Sequence, residues 1–135
     1  MRHSPLRLLG LIGLSAAGCG NPVGPIDVAG VYDLTSVGGT GGSEAPVAGV
    51  ITLTSAGSAE RRVTYRLNAG AKPTEFVVTG TYRVVDSLVE FALLAEGAQT
   101  GSVWRPTARL ESGGGLRLSY PGAADGVIVE FYRRR

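Results

Sequence analysis

Apolar side chains alternate with polar ones at a period of two residues along most of this chain, in short runs bounded by Gly, Pro, Asn, Asp or Ser. One run puts Val63, Tyr65 and Leu67 on the same face. A period of two is typical of half-buried β-strands, and no run has the period of an amphipathic helix. The pattern predicts eight strands, around residues 30–37, 47–55, 59–67, 75–85, 88–94, 103–111, 116–120 and 127–131.

Hairpin-length connections join these predicted strands, which favours an antiparallel up-and-down meander barrel over residues 28–135. A two-sheet β-sandwich fits the same strand count and is the alternative. Eight closed strands leave no exposed edge and enclose room for side chains or one small ligand. Gly80 predicts a bend or bulge, and Pro106 predicts an edge or a bulge in the sixth strand. In the last strand, the alternation of Val127, Val129 and Phe131 predicts the core face.

Residues 1–18 have the layout of a secretory signal peptide. Two arginines lie within Met1–Arg7, the apolar run Leu8–Ala17 follows, and small residues precede position 19. As a helix this run would rise about 15 Å, half the thickness of a hydrocarbon core, so it is too short to remain as a membrane span. We therefore expect the leader to be removed.

The end of this leader, Leu14–Cys19 (LSAAGC), resembles the lipobox of bacterial lipoproteins. The resemblance implies that Cys19 is lipidated and becomes the mature N-terminus, so that acyl chains bind the protein to the membrane. Gly20 stands where many inner-membrane lipoproteins have Asp, which implies outer-membrane anchoring facing the periplasm. Residues 19–27 would then form the lipidated cysteine and its tether, which reaches at most about 28 Å. Ordinary secretion, with Cys19 as a free thiol, is the alternative.

The start of the predicted barrel, Gly30-Val31-Tyr32, has a Gly-x-aromatic order, and the chain ends in an aromatic residue followed by arginines. This resembles the lipocalin or calycin pattern, in which Trp occupies the position of Tyr32. The resemblance implies a small β-barrel in which an arginine near the last strand, expected to be Arg133, packs over the first-strand aromatic ring.

Charge and residue content exclude several kinds of function. Of 13 basic residues two lie in the leader, which leaves 11 against 11 acidic residues, so no basic excess favours nucleic-acid binding. The one histidine, His3, belongs to the leader, and the one cysteine is Cys19. Without either residue type in the mature fold, Ser-His-Asp and Cys-His catalysis and Cys/His zinc sites are excluded. We expect no catalytic residue, no metal and no cofactor, and a protein that is not an enzyme.

Two groups of residues are candidates for binding. Inward tyrosine hydroxyls could line a small ligand pocket, and apolar residues on the outer face of the fourth and fifth strands could bind an envelope protein. The sequence therefore predicts a non-enzymatic envelope lipoprotein whose barrel is a binding or structural module, with a carrier of a small apolar ligand as the alternative. The pocket candidates are Tyr65, Tyr82 and Tyr120, and the partner-surface candidates are Val77, Val85, Leu88 and Leu94.

Overall fold

The computed structural model describes residues 27–39, 46–66, 70–95, 101–122 and 125–135. The predicted signal peptide, Cys19 and all of the tether except Asp27 lie outside the described residues. Within the described residues, the strands run from Gly30 to Arg134 and the hydrophobic core begins at Val28.

Eight antiparallel strands close into a barrel in meander order, each pairing with its sequence neighbours and the last with the first. This confirms the predicted barrel. No helix occurs in the described ranges, and so none there could span a membrane. The strands are β1 (Gly30–Gly39), β2 (Pro46–Leu53), β3 (Ser58–Tyr65), β4 (Thr74–Val85), β5 (Leu88–Ala95), β6 (Thr107–Leu110), β7 (Leu116–Pro121) and β8 (Val127–Arg134).

The two ends of the barrel differ. Tight turns between β2 and β3, β4 and β5, and β6 and β7 lie at one end, which we call the closed end. In the first of these turns, Gly57 has a φ of 88°, a conformation that glycine adopts without a steric penalty. The chain enters the barrel at this same end, through Asp27–Ala29, and leaves it at Arg135. The opposite ends of the strands lie at the other end of the barrel, which we call the open end.

Buried apolar side chains fill the barrel toward its closed end. The Tyr32 hydroxyl donates a hydrogen bond to the Val28 carbonyl over 2.6 Å, and both residues are buried. The Arg134 guanidinium lies 6.0 Å from the Tyr32 ring centroid and donates to the carbonyls of Asp27 and Ala29. The arginine over the first-strand aromatic ring is therefore Arg134 and not the expected Arg133.

That one-residue error follows from the orientation of β8, which is opposite to the prediction. Val127 and Phe131 are exposed, at 47% and 36%, whereas Ile128, Glu130 and Tyr132 are buried. Successive strand residues point to opposite faces, so one wrong assignment inverts the whole strand. The inversion is physically possible because the buried Glu130 carboxylate has partners inside the barrel.

Two irregularities also differ from the prediction. The sixth strand is shorter than residues 103–111: β6 begins at Thr107, although Trp104 forms an isolated bridge with Leu93, and Phe91 N–H donates to the Pro106 carbonyl. Gly80 does not mark a bulge, because the pairing of β4 with both neighbours continues through it without a shift.

Candidate functional site

An ion pair is buried inside the barrel. Arg61 on β3 and Glu130 on β8 are 5% and 0% exposed, although two strands separate β3 from β8 around the barrel wall. Arg61 Nε donates to Glu130 Oε2 over 3.3 Å, and Nη2 donates to Oε1. This two-point contact across the interior matches the planar guanidinium to the carboxylate.

Two tyrosine hydroxyls complete the hydrogen bonding of Glu130. Tyr120 donates to Oε1 over 2.7 Å, and Tyr132 donates to Oε2 over 2.8 Å. The carboxylate thus accepts four hydrogen bonds, two on each oxygen. A buried charge is costly unless it is paired and hydrogen-bonded, and Glu130 meets both conditions.

Aromatic rings flank the positive partner of this pair. The Arg61 guanidinium carbon lies 5.1 Å from the Trp104 ring centroid and 5.6 Å from that of Tyr120. The two rings themselves meet edge to face, with centroids 5.3 Å apart. Rings this close to a guanidinium attract it through their negative faces. Arg61 is therefore stabilised both by the Glu130 carboxylate and by the Trp104 and Tyr120 rings.

The surroundings shift the pKa values of these groups. Burial is the largest influence on the pKa of Arg61 and lowers it, but the Glu130 carboxylate together with Tyr132 and Tyr65 outweighs burial and raises the pKa above its usual value. Burial, together with Glu130, raises the pKa values of the Tyr120 and Tyr132 hydroxyls well above 10. Arg61 therefore stays charged and both hydroxyls stay protonated at neutral pH, so all three remain donors.

An open pocket of about 600 Å³ adjoins this network at the open end. This volume is within the range of pockets that hold small molecules. Its walls are mostly apolar and aromatic, and Arg61 and Ser102 are among the few polar contributions. The pocket is lined by Arg61, Tyr65, Phe76, Val78, Leu93, Ala95, Ser102, Trp104, Tyr120, Pro121, Gly122 and Ile128.

The structure brings two of the three predicted pocket tyrosines together. Tyr65 and Tyr120 both line the open-end pocket, and the Tyr65 ring meets the Phe76 ring edge to face at 5.4 Å. Tyr82 lies elsewhere, because its hydroxyl donates to the Thr54 carbonyl at the closed end over 2.6 Å. Tyr82 therefore ties β4 to a turn and does not line this pocket.

The four residues predicted for a partner surface fall into two pairs. Val85 and Leu88 pair directly beside the β4–β5 turn, while Leu94 pairs with Thr79 toward the other end of these strands, next to Val77 on the same face. An ion pair between Arg83 Nε and Glu90 Oε2, at 2.5 Å, lies between the two pairs. Their use as a partner surface stays a prediction.

Sequence reasoning missed the residues at the centre of the site. Arg61, Trp104, Glu130 and Tyr132 were not among its candidates. The Arg61-Arg62 dipeptide carried a usable signal, because two consecutive arginines in a strand must point to opposite faces and one must therefore enter the barrel. A buried arginine requires a buried acid, and this requirement leads to an inward acid on another strand.

Neither a search for metal-binding clusters nor comparisons with known proteins indicate what this site binds. Within the described part of the chain, no three His, Cys, Asp or Glu side chains come together in a way that could hold a metal ion. No model of a known protein family matches the chain, and comparisons with curated proteins and with solved structures give no match either. The pocket and its ion pair are thus the basis for assigning a function.

Proposed function

We propose that this protein is a non-enzymatic lipoprotein of the cell envelope that binds a small, uncharged, largely apolar ligand in the open end of its barrel. The observation that carries this proposal is the 600 Å³ pocket beside a neutralised ion pair. A binding site needs mostly apolar walls and a few fixed polar groups. Here the pocket walls are mostly apolar, and the network around Arg61 and Glu130 provides the fixed polar groups.

The charge of the site supports an uncharged ligand. Glu130 already cancels Arg61, and both carboxylate oxygens already accept two hydrogen bonds each. An anion would have to compete with Glu130 for the guanidinium, and a cation would meet Arg61 first. Apolar surface removed from water contributes about 25 cal/mol per Å², so apolar contact with the aromatic walls would dominate binding.

Membrane attachment is the second part of the proposal. The lipobox resemblance at Leu14–Cys19 supports lipidation of Cys19 and anchoring in the outer membrane, facing the periplasm. The chain enters the barrel at the closed end, and the pocket lies at the open end. An anchor on the N-terminal side therefore leaves the pocket accessible.

A neutral apolar fluorophore tests the ligand site. Trp104 is the single tryptophan of the chain and lines the pocket, so its emission reports binding there. We expect N-phenyl-1-naphthylamine to quench Trp104 by energy transfer with saturable binding. Val78→Phe fills the pocket and should weaken binding at least about tenfold, which corresponds to about 1.4 kcal/mol.

The matched control is Val85→Phe, the same substitution on the exposed outer wall of the same strand. It should leave the affinity within about twofold of the original, a difference of about 0.4 kcal/mol. Equal weakening by both variants, or no saturable quenching in the unaltered protein, would contradict a ligand site at the open end.

The anchor has its own test. The intact mass of the protein purified from membranes of a producing bacterium should correspond to residues 19–135 plus acyl chains. Cys19→Ala should release the protein from the membrane fraction. An unmodified N-terminus on a soluble protein would instead support ordinary secretion.

A further inference from the structure

The outer arginines of the barrel fall into two classes. Arg62 pairs with Glu75 over 2.6 Å, and Arg83 pairs with Glu90 over 2.5 Å. By contrast, no ion pair among the described residues involves Arg66, Arg105, Arg109, Arg117 or Arg133. The last three lie near the closed ends of neighbouring strands, β6, β7 and β8. We call these three residues the basic face.

Strand register places the basic face on one continuous surface. Arg109 and Arg117 lie directly opposite each other, and Arg117 lies opposite Phe131. Arg133 is two residues beyond Phe131 on the same side of β8. Side chains directly opposite on neighbouring strands are about 5 Å apart at Cβ, and diagonal neighbours are about 7 Å apart. All three arginines are exposed.

Few negative charges compensate this surface. Asp33 pairs with Arg133 in the strand register, but its carboxylate oxygens accept from Arg135, both at 2.8 Å. Glu111 lies two residues beyond Arg109 on the same face and forms no ion pair among the described residues, so two carboxylates lie near the three arginines. Like charges directly opposite destabilise a sheet. The Arg109–Arg117 pair therefore costs the fold stability unless an external anion lies between the two side chains.

The basic face also contains an exposed aromatic ring and lies near the point of chain entry. The Arg117 guanidinium lies 5.8 Å from the Phe131 ring centroid, and Phe131 is 36% exposed. The three arginines are at or next to the closed-end termini of their strands, the end at which Asp27 enters. Cations beside an aromatic ring suit the boundary between lipid headgroups and acyl chains.

We propose that the basic face, with Phe131, binds the anionic phospholipid headgroups of the membrane that anchors the protein. The orientation rests on the proposed lipidation of Cys19, because a tether that reaches at most about 28 Å keeps the closed end near the bilayer. The headgroup phosphates lie between the arginine side chains and relieve their repulsion. The open-end pocket then faces away from the membrane.

Vesicle co-sedimentation of unlipidated residues 20–135 tests this proposal separately from the anchor and from the ligand pocket. We expect binding to phosphatidylcholine vesicles that contain phosphatidylglycerol, little binding to pure phosphatidylcholine, and weaker binding as salt increases. Each arginine near an anionic surface strengthens binding about fivefold, so R109Q/R117Q should weaken it about 25-fold. R62Q/R83Q removes the same charge from outside the basic face and should have less than about a twofold effect.

A charge reversal separates membrane binding from folding. Arg117→Glu creates an opposite-charge pair with Arg109, so the thermal unfolding temperature should stay equal or rise while vesicle binding is lost. Equal losses in R109Q/R117Q and R62Q/R83Q would overturn the proposal. So would the absence of any preference for phosphatidylglycerol, or full competition by millimolar inorganic phosphate, which would indicate a site for the free anion.

Discussion

Glu130 has no exposed surface, yet it remains compatible with the core because four donors surround its carboxylate. Its attraction to Arg61 offsets the cost of removing both charges from water, and the tyrosine hydroxyls satisfy the other lone pairs. Such a pair adds little net stability compared with apolar side chains of similar size. Removing only one of the two charged side chains, however, leaves an uncompensated charge in the barrel.

Neutralising one partner should therefore cost more than neutralising both. Glu130→Gln leaves Arg61 buried without a counter-charge and should lower the free energy of unfolding by about 3–5 kcal/mol. Adding Arg61→Met removes the remaining charge and should restore about half of that loss or more. Urea unfolding of both variants measures the difference. Additive losses would mean that the two side chains stabilise the barrel independently.

The tyrosines around the carboxylate should make the fold sensitive to alkali. The pKa values of Tyr120 and Tyr132 are raised in the folded state, whereas the unfolded chain loses these protons near pH 10. Above that pH the unfolded state binds fewer protons, so the free energy of unfolding falls as pH rises, by about 1.4 kcal/mol per pH unit for each tyrosine.

Removing one hydroxyl should therefore flatten this alkaline decline. Tyr132→Phe has no proton to lose, so the slope of unfolding free energy against pH above 10 should decrease by about 1.4 kcal/mol per unit. Urea unfolding at several pH values measures the slope. An unchanged slope would show that the Tyr132 hydroxyl has the same pKa in the folded and the unfolded protein.

At the level of elements, the alternation of apolar residues was enough to predict all eight strands and the meander. It gave β8 the wrong orientation, because Val127, Val129 and Phe131 form a more apolar face than Ile128, Glu130 and Tyr132, although the second face is the buried one. Only the position of Arg61 across the barrel decides between them. The sequence also overestimated the length of β6. Pro106 has no N–H to donate, and its backbone hydrogen bond to β5 is the one that its carbonyl oxygen accepts from Phe91 N–H.

The sequence singled out Gly80 within β4 but did not show why glycine is needed there. A Cβ there would lie under 3.0 Å from the Ala92 carbonyl oxygen on the neighbouring strand. Gly80→Ala should therefore lower the free energy of unfolding by at least about 2 kcal/mol.

The control for this glycine is Gly101→Ala, since a Cβ at Gly101 would have nothing within 4 Å. It should change unfolding by no more than about 0.5 kcal/mol. Thermal unfolding followed by circular dichroism compares the two variants. Similar stability in both would show that β4 and β5 can separate at Gly80 without loss.

At the level of the whole molecule, the barrel has two unlike ends. Core side chains fill the closed end, where the chain enters and the basic face lies, whereas the open end holds the pocket. Two of the three predicted pocket tyrosines lie at that pocket, so the sequence indicated its aromatic character. It did not indicate the ion pair, because the two charged residues are 69 positions apart in the chain.

The most direct test of the central claim is native mass spectrometry of the protein purified gently from an envelope extract. We predict an added mass of one small, uncharged molecule on the unaltered protein and on Val85→Phe, and its absence from Val78→Phe. A bare protein mass in all three, with other proteins retained instead, would contradict a ligand-binding barrel and favour a partner surface on the outer wall.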